Sequence, residues 1–236
     1  LLLNDGSIGN DTSRALFLDT ISLIVNMYSS NCCAESVSEL EASNGYAVLA
    51  YFLVQGSELG YMSTAVLNLL FQLCIGCNYV TSNNRLVVNI DGIKLILFNS
   101  ILFTNSPIYS TLRVNILKFI LSLVEKTHTS QTLNQNDKFL NPNASYNVLR
   151  LLEAGGIQWL LHTSLRDAHT IASLIENDTN NAEHKVADNS RKVHVRNLLQ
   201  SYNIVEDILY ELLRARGEIN DLLYIAEFLI SSVHTN

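Results

Sequence analysis

Residues 151–161 of the chain read LLEAGGIQWLL, in which the apolar end of one helix, a glycine and the apolar start of another helix follow in order. Residues 40–50, LEASNGYAVLA, and residues 86–97, LVVNIDGIKLIL, have the same arrangement. Each stretch places glycine between two apolar stripes, and the glycine directly before the second stripe is Gly45, Gly92 or Gly156. The chain therefore repeats one helix, glycine, helix unit three times.

The spacing of these glycines indicates the class of repeat. The first two are 47 residues apart and the last two 64, and the longer interval contains a polar stretch of 16 residues at 128–143. Helical repeats of ~40–47 residues are typical of the armadillo and HEAT class, in which each unit buries its apolar face against the next. The sequence therefore predicts an all-α fold, an armadillo/HEAT-like α-solenoid of about three to four repeats.

We expect Gly45, Gly92 and Gly156 to form inter-helix turns. Where one helix ends and the next leaves at a steep angle, the chain needs a left-handed residue and a close approach of two backbones. Glycine meets both conditions without strain because it has no Cβ. The alternative, that the three glycines are ordinary caps in an irregular helical bundle, stays open.

Helical periodicity extends over most of the chain. Apolar residues recur every three or four positions in 13–28, 60–77 and 195–213, and after Ser106-Pro107 in the stripe Leu112, Ile116, Phe119, Ile120 and Leu123. Residues 128–143 and 178–190 break this pattern, so they are interpreted as polar surface insertions. The β-branched run at 86–90 is short and ends at a turn, and we expect no sheet. Residues 1–236 are interpreted as a single solenoid segment.

Composition restricts the class of function. The 236 residues are 48% apolar with two prolines, enough for a large core, and 15 basic against 22 acidic residues give a net charge of −7. An acidic balance argues against nucleic acid and against direct binding to anionic membranes. No apolar stretch approaches the ~20 residues of a membrane span. Because the first residue is Leu1 rather than Met, we expect a fragment of a longer polypeptide.

Two groups of residues are candidates for a chemical site. Cys74 and Cys77 form a C-x-x-C pair, but zinc needs two more ligands and a redox motif needs a preceding strand. His162 and His169 lie seven residues apart, two turns along one helix face, with Asp167 off that face, so the histidines need a third ligand to share an ion. No phosphate loop, nucleophile elbow or H-E-x-x-H is present. The sequence therefore predicts no enzyme, no metal and no cofactor.

Three longer stretches carry a family resemblance. They are NGYAVLAYFLV at 44–54, RLVVNIDGIKLILFNSILF at 85–103 and NVLRLLEAGGIQWLLHTSLRD at 147–167. Their order over residues 13–167 resembles the armadillo-like α-solenoid that precedes the BEACH domain in the beige/neurobeachin family. The resemblance implies a non-catalytic scaffold that binds protein partners in vesicle trafficking, lysosome-related organelles or autophagy. It implies a cytoplasmic location at the periphery of endosomal or lysosomal membranes, with membrane association only indirect, through other domains.

The low cysteine count supports a cytoplasmic location, because four clustered cysteines cannot form a disulfide framework for a chain of this size. Two other functions stay open. One is another armadillo-type adaptor or regulatory domain, for cargo or cytoskeletal partners. Import adaptors bind basic peptides through ladders of Trp and Asn, and this chain has a single tryptophan, Trp159. The other is an all-helical metal protein or enzyme that uses the Cys74 and Cys77 pair or the His162 and His169 segment.

Overall fold

The computed structural model describes residues 5–29, 35, 38–39, 42–76, 85–94, 109–125, 127–129, 138–180, 188–216 and 219–234. Helices account for most of these residues, and the protein is all-α. The helices are α1 (Asp5–Ser29), α2 (Gly45–Glu58), α3 (Thr64–Ile75), the single turn α4 (Ile90–Gly92), α5 (Ser110–Val124), α6 (Ala144–Glu153), α7 (Gly156–Asn180), α8 (Asp188–Arg216) and α9 (Ile219–His234).

The expectation that the chain contains no sheet is wrong for one short hairpin. Strand β1 (Thr127–Thr129) pairs antiparallel with β2 (Lys138–Leu140), and Thr127 lies opposite Leu140. The hairpin falls in the stretch expected to be a polar insertion, where β-branched and aromatic residues favour extended backbone. Strands of three residues are too short for an alternating apolar pattern to become visible in the sequence. Residues 130–137 of the predicted insertion lie outside the described residues.

The second predicted insertion, residues 178–190, is helical at both ends. Helix α7 continues to Asn180 and α8 begins at Asp188, while residues 181–187 lie outside the described residues. Polar residues such as Asn and Asp are common at helix ends because their side chains compete for backbone hydrogen bonds there. Polarity alone therefore did not locate the two helix ends.

The chain divides into two compact units. The first contains Leu1–Ser82 and Val87–Ile101, and the second contains Asn83–Leu86 and Leu102–Asn236. Both units have the same apolar helical periodicity, so no change in sequence pattern marks their limits.

The first unit is built around the contact between α1 and α3. Helix α1 buries Phe17, Ile21 and Val25, which recur at helical spacing and form one stripe. Helix α3 begins with Ser63 as its N-cap, whose hydroxyl accepts a hydrogen bond from the Val66 backbone amide at 3.4 Å. The side chains of α3 are buried on more than one face, which is typical of a core helix.

The ring of Phe17 fills the space beside Gly56 of α2. The Phe17 ring centroid lies 4.8 Å from that of Phe52 and 5.8 Å from that of Tyr61. A Cβ built on Gly56 would lie 2.3 Å from Cζ of Phe17, well inside van der Waals contact. The absence of a side chain at Gly56 therefore lets the aromatic ring of α1 lie against the backbone of α2.

Helix α5 is the central helix of the second unit. The stripe predicted from its periodicity is buried, with Ile116, Phe119 and Leu123 fully enclosed. Helix α5 packs against α8 and α6, and α7 packs against α6, α8 and α9. Because α5 is buried around most of its circumference, the other helices of this unit are arranged around it.

Two asparagine side chains bind the carbonyl end of α5. The Asn141 amide donates to the carbonyl oxygens of Ser122 at 3.2 Å and Leu123 at 3.0 Å. The Asn147 amide donates to the same Leu123 oxygen at 2.9 Å and to the carbonyl oxygen of Arg85. Since the last carbonyls of a helix have no partner inside it, these side chains satisfy groups that would otherwise be buried without hydrogen bonds.

Candidate functional site

Two of the predicted turn glycines are the first residues of helices. Gly45 begins α2 and Gly156 begins α7. The left-handed conformation expected for them lies one residue earlier, at Asn44 with φ 55° and at Gly155 with φ 80°. This difference has a physical reason: the left-handed residue completes the turn, and the residue after it already has helical dihedral angles.

The third glycine, Gly92, ends the single turn α4 and also lacks a positive φ. A Cβ at Gly92 would lie 3.1 Å from Cγ of the Asn89 side chain, which caps the same turn. At Gly156 a Cβ would lie 2.8 Å from the backbone carbonyl oxygen of Leu151. A close approach to a neighbouring backbone is therefore a property of Gly156, whereas Gly92 meets a side chain.

A buried charged cluster joins the three helices α5, α7 and α8 of the second unit. Arg113 of α5 is 2% exposed, and its Nη2 donates to Oδ2 of Asp167 on α7, which is fully buried. The same nitrogen lies 3.5 Å from the carbonyl oxygen of Thr163. His194 of α8 is buried as well. We call Arg113, Asp167 and His194 the Arg113 cluster.

Burial dominates the electrostatics of the Arg113 cluster. Burial raises the pKa of Asp167 to about 6, although the guanidinium groups of Arg113 and Arg166 act to lower it. Burial lowers the pKa of His194, and the positive charge of Arg113 lowers it further. Burial also lowers the pKa of Arg113, against the attraction of Asp167. The cluster is therefore an ion pair beside an imidazole that favours its neutral form.

The Arg113 cluster is unsuited to catalysis on a bound substrate. Its side chains are almost completely enclosed, so a molecule from solvent does not reach them. Oδ1 of Asp167 and Nδ1 of His194 have no hydrogen-bond partner among the described residues. Buried polar atoms of this kind cost free energy, so the cluster is weak support for stability by itself. Its arrangement is that of a core contact which fixes the positions of three helices.

The sequence predicts that Asp167 lies away from the histidine face, but it does not identify Arg113 as the partner of Asp167. A signal for Arg113 is present in the sequence, because it lies three and four residues before Ile116 and Leu117. These positions share one helix face, and both apolar side chains are fully buried. A charged residue on a buried stripe needs an opposite charge nearby, although the stripe does not say which helix supplies it.

His162 and His169 line one groove on α7, on the same helix face that the sequence predicted. The groove has a volume of about 500 Å³ and is also lined by Leu165, Arg166, Thr170 and Ser173. The rings of His162 and Phe228 of α9 form a T-shaped contact, with a centroid distance of 5.2 Å and an interplanar angle of 90°. We call this the α7 groove.

A guanidinium lies between the two imidazoles of the α7 groove. Arg166 follows His162 by four residues and precedes His169 by three, so all three belong to one helix face. A cation at this position cannot serve as the third metal ligand that the two histidines would need. Among the residues that the structure describes, no group of three or more His, Cys, Asp or Glu side chains could hold a metal ion.

The predicted cysteine pair is only partly described. Cys74 is fully buried in α3, and burial raises the pKa of its thiol. A thiol in this environment is kept protonated, so it is a poor nucleophile and a poor metal ligand. Cys32, Cys33 and Cys77 lie outside the described residues. The environment of Cys74 is that of an apolar core residue.

Large apolar side chains are exposed in line on the outer faces of two helices. The α1 stripe consists of Leu16, Leu23 and Met27, and the α9 stripe consists of Leu222, Leu223 and Ile230. Their exposed fractions lie between 43% and 66%. Single exposed apolar residues are normal, but several that recur at helical spacing on one helix face present apolar surface that favours contact with another molecule.

Comparisons with known proteins found no match to a family model, to a curated protein or to a solved structure. None of the described helices has the length and apolar character needed to cross a bilayer.

Proposed function

We propose that the chain is a non-catalytic protein-interaction segment made of stacked helices of the armadillo type. The observation that carries this proposal is the pair of exposed apolar stripes, one on α1 and one on α9. In a helical repeat protein each unit covers part of its neighbour, and helix faces left uncovered bind other proteins or further repeats. Apolar helix faces suit that role better than they suit contact with water.

The connections between helices support a repeat architecture in the second unit. Helices α6 and α7 are joined by only Ala154 and Gly155, and α7 contacts both α6 and α9. Short connections between antiparallel neighbours are typical of helical hairpins, the element that armadillo and HEAT repeats stack. We therefore interpret the helices around α5 as consecutive layers of one solenoid.

The finer part of the proposal is a role in a larger BEACH-type protein of vesicle trafficking, lysosome-related organelles or autophagy. It rests on the resemblance of residues 13–167 to the solenoid of the beige/neurobeachin family. On this proposal the segment works in the cytoplasm and reaches endosomal or lysosomal membranes only through other domains. The sequence of the longer polypeptide tests it, since a BEACH domain downstream is expected and its absence would remove this part.

The general scaffold function is tested by charge substitutions on the α9 stripe. We expect the Leu223→Glu/Ile230→Glu variant to lose the partners that the wild-type chain recovers from a cytosolic extract. The matched control is Gln200→Glu/Asn203→Glu, which adds the same two charges at exposed polar positions of α8. Circular dichroism would establish that both variants fold. Equal partner recovery by a folded α9-stripe variant would exclude this surface from binding.

A separate pair of variants tests the α1 stripe in the first unit. Leu16→Glu/Leu23→Glu places two charges on exposed apolar positions, whereas Asp19→Lys changes an exposed polar position of the same helix. We expect only the former to lose partner proteins. If both stripes can be charged without any change in the recovered proteins, the proposed scaffold function is contradicted.

A further inference from the structure

We propose that the α7 groove binds a phosphomonoester, that is, an organic ligand ending in one phosphate group. The first observation is the state of Arg166, which is half-buried and makes no side-chain hydrogen bond or ion pair with any described residue. Its Nε is enclosed and has no acceptor. Buried or half-buried guanidinium groups are normally paired with an acceptor, so Arg166 favours an anionic ligand.

The nearest carboxylate cannot act as that acceptor. Asp167 follows Arg166 in sequence but points into the core, where its Oδ2 accepts from Arg113. Burial lowers the pKa of Arg166 and the charge of Asp167 raises it, yet the two side chains form no ion pair among the described residues. The positive charge of Arg166 is therefore available on the groove side of α7.

The two imidazoles add hydrogen-bond donors on either side of Arg166. A neutral imidazole has one N–H donor and a charged one has two, so each can donate to an oxyanion. The Thr170 hydroxyl donates to the carbonyl oxygen of Arg166 at 2.9 Å, and the Ser173 hydroxyl donates to that of Thr170 at 2.9 Å. Since these hydroxyl protons are engaged, the nitrogen groups are the donors that the groove offers a ligand.

The spacing of the donors fits a phosphate better than a metal ion. Seven residues of helix separate His162 and His169 by ~10 Å along the axis. Zinc bonds of ~2 Å cannot span that gap without a further ligand. A phosphate group presents several oxygens in different directions and accepts hydrogen bonds of ~2.8 Å from each side, while the guanidinium binds two oxygens at once.

The size and charge of the surroundings restrict the ligand further. A groove of about 500 Å³ holds an organic group as well as the phosphate, and Leu165 supplies apolar lining. The net charge of −7 repels polyanions such as nucleic acids, so a ligand with one phosphate is favoured. The ligand can be a small molecule that carries the phosphate or a phosphorylated side chain of a partner protein. This inference does not depend on the scaffold function.

Titration calorimetry of the full chain at about 150 mM salt tests the proposal. The titrants are O-phosphoserine, a short phosphoserine peptide, the same peptide without phosphate, and inorganic phosphate. We expect the phosphopeptide, the phosphoamino acid or both to bind, with no binding of the unphosphorylated peptide. Tighter binding of the phosphopeptide would identify a protein partner as the source, and equal binding would identify a small phosphomonoester.

Variants of the groove provide the decisive comparison. Arg166→Gln should weaken binding by about tenfold or more, and His169→Gln by about three- to tenfold, because charge-assisted hydrogen bonds exceed neutral ones. Arg150→Gln is the matched control, since it removes an arginine of α6 that is paired with Glu153 outside the groove. No binding of either phosphomonoester, or binding unchanged in folded Arg166→Gln and His169→Gln, would overturn the proposal.

Discussion

At Gly156 the important quantity is the 2.8 Å between the position of an added Cβ and the carbonyl oxygen of Leu151. That oxygen belongs to the backbone and cannot rotate away as a side chain would. We therefore expect Gly156→Ala to lower the free energy of unfolding by about 1–3 kcal/mol, as overpacking usually does. Urea denaturation measures this change. Gln158→Ala, at an exposed position of the same helix, should stay within about 0.5 kcal/mol of wild type.

The Arg113 cluster leads to a pH prediction for Asp167. Its native pKa of about 6 is raised from 3.8, so the native state holds this proton more tightly than the unfolded chain. The stabilisation from this group is complete below pH 3.8 and is lost as pH rises through 6, by up to about 3 kcal/mol. His194 opposes it, because its lowered pKa makes stability fall as pH drops below 6.5.

Asp167→Asn isolates the contribution of the carboxyl group. The charges that face it are Arg113 from α5 and Arg166 from α7, and both remain in the variant, as does His194 of α8. We expect the stability of wild type relative to the variant to fall between pH 4.5 and pH 7. Chemical denaturation at several pH values measures the difference. A difference that is constant over this range would show that Asp167 does not titrate there.

At the scale of helices, the contact between α1 and α2 depends on Gly56. A Cβ at this position would lie 2.3 Å from the Phe17 ring, which is held between Phe52 and Tyr61. Gly56→Ala should therefore destabilise the protein by about 1–3 kcal/mol. Phe17→Leu removes the ring atoms that would collide, so the second substitution should cost less in the Gly56→Ala background than alone. Additive losses in thermal unfolding would contradict this contact.

The helices could be predicted from the sequence because an apolar residue every three or four positions has one main physical meaning, a stripe buried against a neighbour. The buried stripe of α5 and the core position of Cys74 follow from this rule. The hairpin of β1 and β2 could not be predicted, because each strand has three residues and no alternation to detect. A strand can be recognised from alternating apolar and polar residues only when it extends over several periods of two residues.

The same limit applies to the candidate sites: an arrangement within one helix could be predicted from the sequence, and a contact between helices could not. That His162 and His169 share a face is a property of one helix, and the spacing alone predicts it. The partner of Arg113 lies 54 residues away on another helix, and the acceptors of Asn147 lie 24 and 62 residues away. Such pairs depend on which helix faces which, and one sequence contains no direct signal for that choice.

At the scale of the whole molecule, the net charge of −7 has a measurable consequence. Binding to DNA gains free energy when basic side chains displace counterions, and a chain with surplus acid lacks that gain. We expect no retardation of a double-stranded DNA fragment in an electrophoretic assay at low or at physiological salt. A shift that disappears with added salt would reveal a basic surface strong enough to overcome the net charge.

The paired amides at the end of α5 carry one more consequence, for local opening of the structure. The side chain of Asn147 donates to carbonyl oxygens of both Leu123 and Arg85, so it links the last turn of α5, which Asn141 also binds, to the stretch around Arg85. Proteins open in cooperative patches, and groups that share an anchor separate from it together. In deuterium labelling, peptides that cover the last turn of α5 and those around Arg85 should exchange at one common rate, and replacing Asn147 with alanine should speed both.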